Sequence, residues 1–181
     1  MTATMPSHSL FPRLEPLLAQ VSKPIQYVGG ELNSVVKDWD AVDVRWCLGY
    51  PDAYEVGQPN QGGAILYEIL NERDWILAER TYAVWPDLEH LLREHDVPQF
   101  TLDAHRPVGA FDLLGLSFST ELGYTNLLNI LDLSGIPIHA AARGPRPPRG
   151  GRPRHAQRRG SGCPTGRGCS AGWCSRAPSR S

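Results

Sequence analysis

Apolar positions in the first 142 residues follow two alternating patterns: short, nearly continuous apolar runs, and longer stretches with apolar residues three or four positions apart. A continuous run is typical of a β-strand that is covered on both faces, whereas the wider spacing is typical of an amphipathic helix. The runs predict strands at residues 42–50 and 113–118, and residues 75–83 and 100–102 are predicted as further extended pieces. The spaced stretches predict helices at residues 64–71, from Pro86 onwards and at 124–133.

This order of elements, strand and helix in alternation with short connections, predicts an α/β fold. The expected architecture is a Rossmann-like parallel sheet with flanking helices. Ligands of such sheets bind where the carboxyl ends of the strands meet the following helices. Two loops hold that position, residues 51–63 and residues 117–123, and function is expected there.

The first 41 residues read as a cap that precedes the sheet. Leucines and a valine three or four positions apart predict a short helix within residues 10–21, with its regular part starting near Pro16. Gly29 and Gly30 then predict a turn between two short extended pieces, residues 25–28 and 32–36, which together form a short hairpin.

The loop after the first strand reads YPDAYEVGQPNQGG and is rich in glycine, proline and hydrogen-bonding side chains. A loop of this kind ahead of a helix suits an anion or a large polar cofactor. Its glycines, Gly57, Gly62 and Gly63, lack the G-x-G-x-x-G spacing of dinucleotide sites, and no Walker lysine follows. On composition alone, a generic connecting loop explains these residues equally well.

Within this loop, Asp52-x-Tyr54-x-x-Gly57 resembles the Asp-x-His-x-x-Gly loop of cobalamin-binding domains, with tyrosine in place of histidine. Longer segments resemble, in order, the start of radical S-adenosylmethionine (SAM) proteins that carry an N-terminal cobalamin-binding-like domain. These segments are VVKDWDAVDVRWCLGYPDAYEVG, AILYEILNERDWILAERTYAVWPDLEHLLRE and FDLLGLSFSTELGYTNLLNILDLSGIPI. The resemblance runs from about residue 10 to residue 141.

The resemblance implies five cofactor-binding positions. Asp52 and Gly57 keep the polar anchor and the tight turn of the family loop, whereas Tyr54 cannot ligate cobalt as the family's histidine can. Ser117 and Ser119 match in place the serine-containing element that contacts the nucleotide tail of cobalamin. Cobalamin binding by this chain is therefore expected to be weak or lost.

Two family elements are missing from the sequence. No pair of glycines follows a fourth strand after Ile138, so the Rossmann-like sheet is expected to be incomplete, with an unpaired edge through which copies could associate. No Cys-x-x-x-Cys-x-x-Cys loop occurs, so the iron-sulfur cluster and S-adenosylmethionine are expected in the intact family only. The chain is accordingly interpreted as an inactive N-terminal fragment without catalytic residues of its own.

Charge divides the chain in two. Residues 1–142 hold 8 Lys and Arg against 19 Asp and Glu, whereas residues 143–181 hold ten Arg and no acidic residue. The basic tail is rich in Gly and Pro and lacks Leu, Ile, Val and Phe, which predicts disorder. Arginine, glycine, proline and alanine dominate it, which is the composition of a GC-rich gene read out of frame, so the tail is interpreted as a frameshift product that begins near Ala142. The alternative to an inactive fragment is a small α/β domain, residues 42–142, whose arginine-rich tail binds nucleic acid.

Other candidate residues are interpreted as structural. The segment DAHRPVG, residues 103–109, contains an Asp-x-His but is expected to be a surface turn. His90 and Glu94 are expected on a solvated helix face, and Cys47 in the core. Tail cysteines Cys163, Cys169 and Cys174 do not have the spacing of a metal site, so no metal is predicted.

Localisation follows from two absences in the sequence. It has no run of 18 uncharged apolar residues, which predicts no contact with a membrane. Its opening, MTATMPSHSLFPRLEP, lacks the pattern of a signal peptide, which favours the cytoplasm.

Overall fold

A computed structural model describes residues 8–143 of the chain. Within them a parallel sheet is flanked by helices, so the predicted α/β class is confirmed. The strands are β1 (Val44–Tyr50), β2 (Ile76–Tyr82) and β3 (Leu113–Leu116). The helices are α1 (Phe11–Leu18), the single turn α2 (Tyr54–Gly57), α3 (Gln61–Asn71), α4 (Pro86–Glu94) and α5 (Tyr124–Leu133).

Strand β1 lies at the centre of the sheet, in the order β2-β1-β3. It pairs with β2 along its whole length, from Val44 opposite Ile76 to Tyr50 opposite Tyr82. Its pairing with β3 is shorter and ends at Gly49 opposite Leu116. Because all three strands are parallel, their carboxyl ends meet at one edge, where the two loops of interest begin.

Helix α1 differs from its prediction, because Pro16 lies inside it and not at its start. The helix begins at Phe11, with Pro12 in the first turn, where a missing N–H costs nothing. Leu14, Leu17 and Leu18 are buried against α4 in one of two apolar clusters. This burial offsets the backbone hydrogen bond that Pro16 removes.

The predicted hairpin was wrong. Residues Pro24–Tyr27 form a 3₁₀ turn, and residues 32–36 have no regular structure. The glycine turn itself is confirmed, since Gly29 and Gly30 have φ of 73° and 83°. The second piece does not pair with the first because its backbone bonds elsewhere: the Val35 N–H donates to the Tyr67 hydroxyl at 2.7 Å.

Most of the segment 103–109 is buried, which corrects the predicted surface turn. Asp103 is 9%, His105 7% and Arg106 1% exposed. Arg106 forms an ion pair with Glu79, whose side chain on β2 is fully buried. A buried carboxylate requires such a partner, and the ion pair holds the segment against β2.

Helix α3 buries little of its apolar surface. Its apolar stripe was predicted correctly in position, yet Ile65, Leu66 and Ile69 are each about half exposed, at 56%, 51% and 48%. Tyr67 is its buried residue. The helix therefore sits on the sheet through Tyr67 and directs its aliphatic stripe outwards. No helix in residues 8–143 is long and apolar enough to cross a membrane.

Candidate functional site

A cavity of about 230 Å³ opens at the carboxyl edge of the sheet, between the ends of β1 and β3 and the start of α3. Its walls are mostly apolar and include Trp46, Leu48 and Leu116. Gln58 and Asn60 are polar groups in its lining. An apolar body with a few polar groups is the usual composition of a small-molecule site.

Two of the five predicted cofactor residues, Gly57 and Ser117, line this cavity. The Asp52 carboxylate instead accepts a hydrogen bond from the Ala53 N–H at 2.8 Å and so fixes the turn after β1. The Asp52 carbonyl accepts from the Ala83 N–H at 2.9 Å. Asp52 therefore holds the loop against the end of β2 and does not enter the cavity wall.

Tyr54 is the first residue of α2, and its hydroxyl donates to the Glu31 carboxylate. Its ring packs edge-on against Tyr82, with ring centres 5.6 Å apart. Burial, together with the hydrogen bond and negative charge of Glu31, raises the pKa of Tyr54 to about 12. The phenol therefore stays protonated near neutral pH, and its oxygen is already engaged.

Gly57 is required by close packing. A Cβ at this position would lie 2.5 Å from Cδ1 of Tyr82 and 3.0 Å from Cδ1 of Tyr50. Only a glycine lets α2 lie directly on these two rings, which end strands β2 and β1. The role of Gly57 is thus to bring the first loop down onto the strand ends.

Ser119 connects the two loops. Its Oγ lies 3.3 Å from the hydroxyl of Tyr50, the last residue of β1. From the second loop's helix, Asn126 Nδ2 donates to the Pro51 carbonyl at 3.2 Å. The structure therefore brings the two predicted loops together, through Tyr50 and Asn126, which the sequence analysis did not single out.

Asn60 is a further residue that the sequence analysis missed. It caps α3, because its Oδ1 accepts from the Gly63 N–H at 2.8 Å. The signal was present in the sequence, since asparagine just before a helix is a preferred N-cap. The cap sets where α3 begins and keeps its first turn at the cavity.

Arg80 also lines the cavity, but its positive charge is paired with the carboxylate of Asp103. Its Nη2 donates to Asp103 Oδ1 at 2.7 Å, and the Asp103 side chain is fully buried. Ser34 Oγ and the Tyr67 hydroxyl donate to the same carboxylate oxygen, at 2.6 and 3.1 Å. Burial and the charge of Asp103 raise the pKa of Tyr67 to about 12. The positive charge of Arg80 at the cavity is thus balanced by the buried carboxylate of Asp103.

Metal-ligand chemistry has little support in the described residues. Cys47 is fully buried, and burial raises the pKa of its thiol well above the usual value. His90 and Glu94 lie 4.0 Å apart on an exposed helix face, as predicted. No cluster of three or more His, Cys, Asp or Glu suited to a metal occurs between residues 8 and 143. Cys163, Cys169, Cys174 and the predicted disordered or nucleic-acid-binding tail lie outside these residues.

Residues 62–149 match a family model described as "Radical SAM proteins, N-terminal". The match supports a radical SAM N-terminal domain. It covers just under half of the chain, from the first turn of α3 past the end of α5, and begins after Asp52, Tyr54 and Gly57. Neither the curated proteins nor the solved structures contain a match to this chain.

Proposed function

We propose that this chain is the N-terminal, cobalamin-binding-like domain of a radical SAM protein and performs no radical chemistry by itself. The observation that carries the first part is the family match over residues 62–149, which includes β2, β3 and the helices α3 to α5. An iron-sulfur cluster and S-adenosylmethionine belong to the intact family. The second part rests on the cysteines: Cys47 is buried, and the sequence holds no Cys-x-x-x-Cys-x-x-Cys loop.

The cavity at the carboxyl edge is the proposed contact with a cobalamin-type cofactor. Its apolar walls suit the flat, apolar part of such a molecule, and Gln58, Asn60 and Ser117 offer polar groups. Its volume of about 230 Å³ accommodates only a part of so large a cofactor. The residues present thus fit a partial contact.

The lower cobalt ligand of the family loop does not fit this chain. Tyr54 stands where the histidine would be, and its hydroxyl is hydrogen-bonded to Glu31 and protonated near neutral pH, because its pKa is raised to about 12. We therefore propose that any bound cobalamin receives no ligand from this loop. Weak binding follows, because a partial contact lacks the strongest bond that such a loop can supply.

A titration of the full chain with hydroxocobalamin, followed by NMR and by visible absorbance, tests this proposal. We expect half-saturation above about 0.1 mM, the range of a weak contact, with resonance shifts confined to residues around the cavity. The cobalt absorbance should not change, because no protein ligand is exchanged. Saturation at micromolar concentration would overturn the weak binding, and no shifts at millimolar cofactor would overturn the site.

Helix α3 offers a matched pair of variants. Leu66 lines the cavity and is half exposed, whereas Ile65 is equally exposed and lies outside the cavity lining. Leu66→Trp should fill the cavity and remove the resonance shifts. Ile65→Trp adds the same side chain one position away and should keep them. Equal loss in both variants would show that the cofactor does not use the cavity.

The catalytic half of the proposal has its own assay. The chain is reconstituted with iron and sulfide under reducing conditions and tested for reductive cleavage of S-adenosylmethionine. We expect no 5′-deoxyadenosine. Its formation, together with a cluster signal, would contradict the assignment of a non-catalytic domain while leaving the family intact.

A further inference from the structure

The outer edge of β2 is closed by the chain itself. Hydrogen bonds from other segments occupy the outward backbone groups of alternate residues along the strand. The Ile76 carbonyl accepts from Lys37 Nζ at 2.7 Å, and the Tyr82 carbonyl accepts from Gln99 Nε2 at 2.8 Å. Between them, the Ala78 N–H donates to Asn71 Oδ1 and the Ala78 carbonyl accepts from Asn71 Nδ2, at 3.0 Å each. The Arg80 N–H donates to Asp103 Oδ2 and the Arg80 carbonyl accepts from the Leu102 N–H, at 2.7 Å each. No further strand can pair there, because its hydrogen-bonding positions are already used.

Within residues 8–143, the outer edge of β3 is open. In a parallel pair, only every second residue directs its backbone groups towards the neighbouring strand. Ser117 is such a residue, because its N–H donates to the Gly49 carbonyl of β1 at 2.9 Å. The N–H and C=O groups of Leu114 and Leu116 consequently point away from β1. Nothing among residues 8–143 bonds to these groups. This edge can therefore accept another strand.

The basic tail is a poor candidate for that strand. Residues 144–181 contain no Leu, Ile, Val, Phe, Met or Tyr and are rich in proline and glycine. Such a composition lacks the side chains that favour strands, and each proline removes a donor. A strand of another chain fits this edge better than the tail does.

A second copy of the same edge meets the requirements. Residues 113–120 carry no charge, so no two like charges would stand opposite each other within the paired segment. Leu113 and Phe118, at the two ends of the edge, are 48% and 37% exposed and would lose apolar surface to water on pairing. A two-fold axis at Gly115 would place Leu114 of one copy opposite Leu116 of the other, which satisfies the outward groups of both.

We propose that the chain forms a closed two-fold dimer by antiparallel pairing of β3 with β3 of a second copy. The result is one continuous sheet in the order β2-β1-β3-β3-β1-β2. Both outer edges of this sheet are β2 edges, which are already closed by other segments of the same chain. Association therefore stops at two copies and does not continue into an open fibre.

Leu116 provides the decisive pair of variants. Its N–H faces outwards, so Leu116→Pro removes a donor and blocks the partner strand while leaving the bonds between β3 and β1 in place. Leu116→Ala removes the same side chain but keeps the N–H. Sedimentation velocity of the full chain, nuclease-treated and in high salt, is measured from about 1 to 100 μM, the range of weak to moderate self-association.

We expect the wild type and Leu116→Ala to reach a dimer, and Leu116→Pro to raise the dissociation constant at least about tenfold. A wild type that stays monomeric overturns the proposal, as does a Leu116→Pro variant that dimerises normally. Species that grow past the dimer also overturn it. A stable complex with a different protein, found by native mass spectrometry in place of the dimer, would assign the edge to that partner.

Amide hydrogen exchange in the wild type tests the same pairing without a variant, and so does not depend on the folding of Leu116→Pro. In the wild type, the amides of Leu114 and Leu116 should exchange fast at low protein concentration and slowly at high concentration. The amides of Ala78 and Arg80, which are bonded within the chain, should be protected at every concentration. Concentration-independent exchange at Leu114 and Leu116 would rule out pairing at this edge.

Discussion

Asn71 bonds both backbone groups of Ala78, accepting from its N–H and donating to its carbonyl, at 3.0 Å each. A side-chain amide at the end of α3 thus takes the place of a neighbouring strand beside β2. These two hydrogen bonds fix the end of α3, the helix that begins at the cavity, to the outer edge of β2.

Asn71→Ala should lower the free energy of unfolding by about 1–2 kcal/mol, because it leaves two backbone groups of β2 without a partner. Glu68→Ala, on the exposed side of the same helix, is the control and should change it by less than about 0.5 kcal/mol. Urea unfolding monitored by circular dichroism measures both. Similar values for the two variants would show that Asn71 does not stabilise the edge.

Asp103→Ala should lower the free energy of unfolding by about 3 kcal/mol or more, because it leaves the largely buried Arg80 without its counter-ion. Ser34→Ala removes a single neutral donor from the same carboxylate and should cost about 1 kcal/mol. The comparison uses the same urea unfolding. A loss no larger than that of Ser34→Ala would contradict the role of Asp103 as a buried counter-ion.

Glu79 should make stability depend on pH. Burial, aided by the nearby negative charge of Asp103, outweighs the opposing ion pair with Arg106 and the hydrogen bond from Thr101, and together they raise the pKa of Glu79 to about 7. A carboxyl whose pKa is higher in the folded state binds more protons there, so its contribution to stability is complete below the unfolded pKa of about 4.5 and is lost as pH rises towards 7.

Glu79→Gln should therefore remove this slope. The measured quantity is the difference in unfolding free energy between wild type and Glu79→Gln at steps from pH 5 to pH 8. We expect the wild type to lose stability relative to the variant as pH rises. Burial lowers the pKa of His105, which gives the opposite trend, but His105 is present in both proteins and its effect cancels. A flat difference would show that Glu79 titrates normally.

Gly57→Ala should destabilise the domain by about 1–3 kcal/mol, because the added methyl group overlaps the Tyr82 ring. Gly63→Ala is the matched control. A Cβ there would meet Asn60 Oδ1 at an ordinary 3.5 Å, and alanine in a helix is about 0.5–1 kcal/mol more favourable than glycine. Thermal unfolding should place the two melting temperatures on opposite sides of the wild type. Equal shifts would contradict the packing role of Gly57.

The order of strands and helices could be predicted because the second half of β1 and all of β3 are apolar runs and α4 and α5 have regular apolar spacing. The hairpin prediction failed because the backbone at Val35 bonds to Tyr67, a partner 32 positions away that a local pattern does not contain. The burial of Asp103 and Arg106 was missed for the same reason. Their partners on β2 lie 23 and 27 positions earlier in the chain.

The sequence predicted which two loops lie at the candidate site, but not which of their side chains line the cavity. Both loops lie at the carboxyl edge because parallel strands place them there, and Gly57 and Ser117 line the cavity. The sequence could not indicate that Asp52 and Tyr54 would satisfy their own loop and its neighbour, Glu31. Those contacts depend on how α2 packs on Tyr50 and Tyr82, which is a property of the assembled sheet.

The closed edge of β2 also sets an order of events during synthesis. The groups that cover it lie on both sides of the strand: Lys37 and Asn71 are made before it, and Gln99, Leu102 and Asp103 after it. A nascent chain that has released β2 but not yet residue 103 exposes part of a bare strand edge. Such a chain is open to mispairing with its neighbours on a polysome, and this risk ends once residue 103 has emerged and folded back.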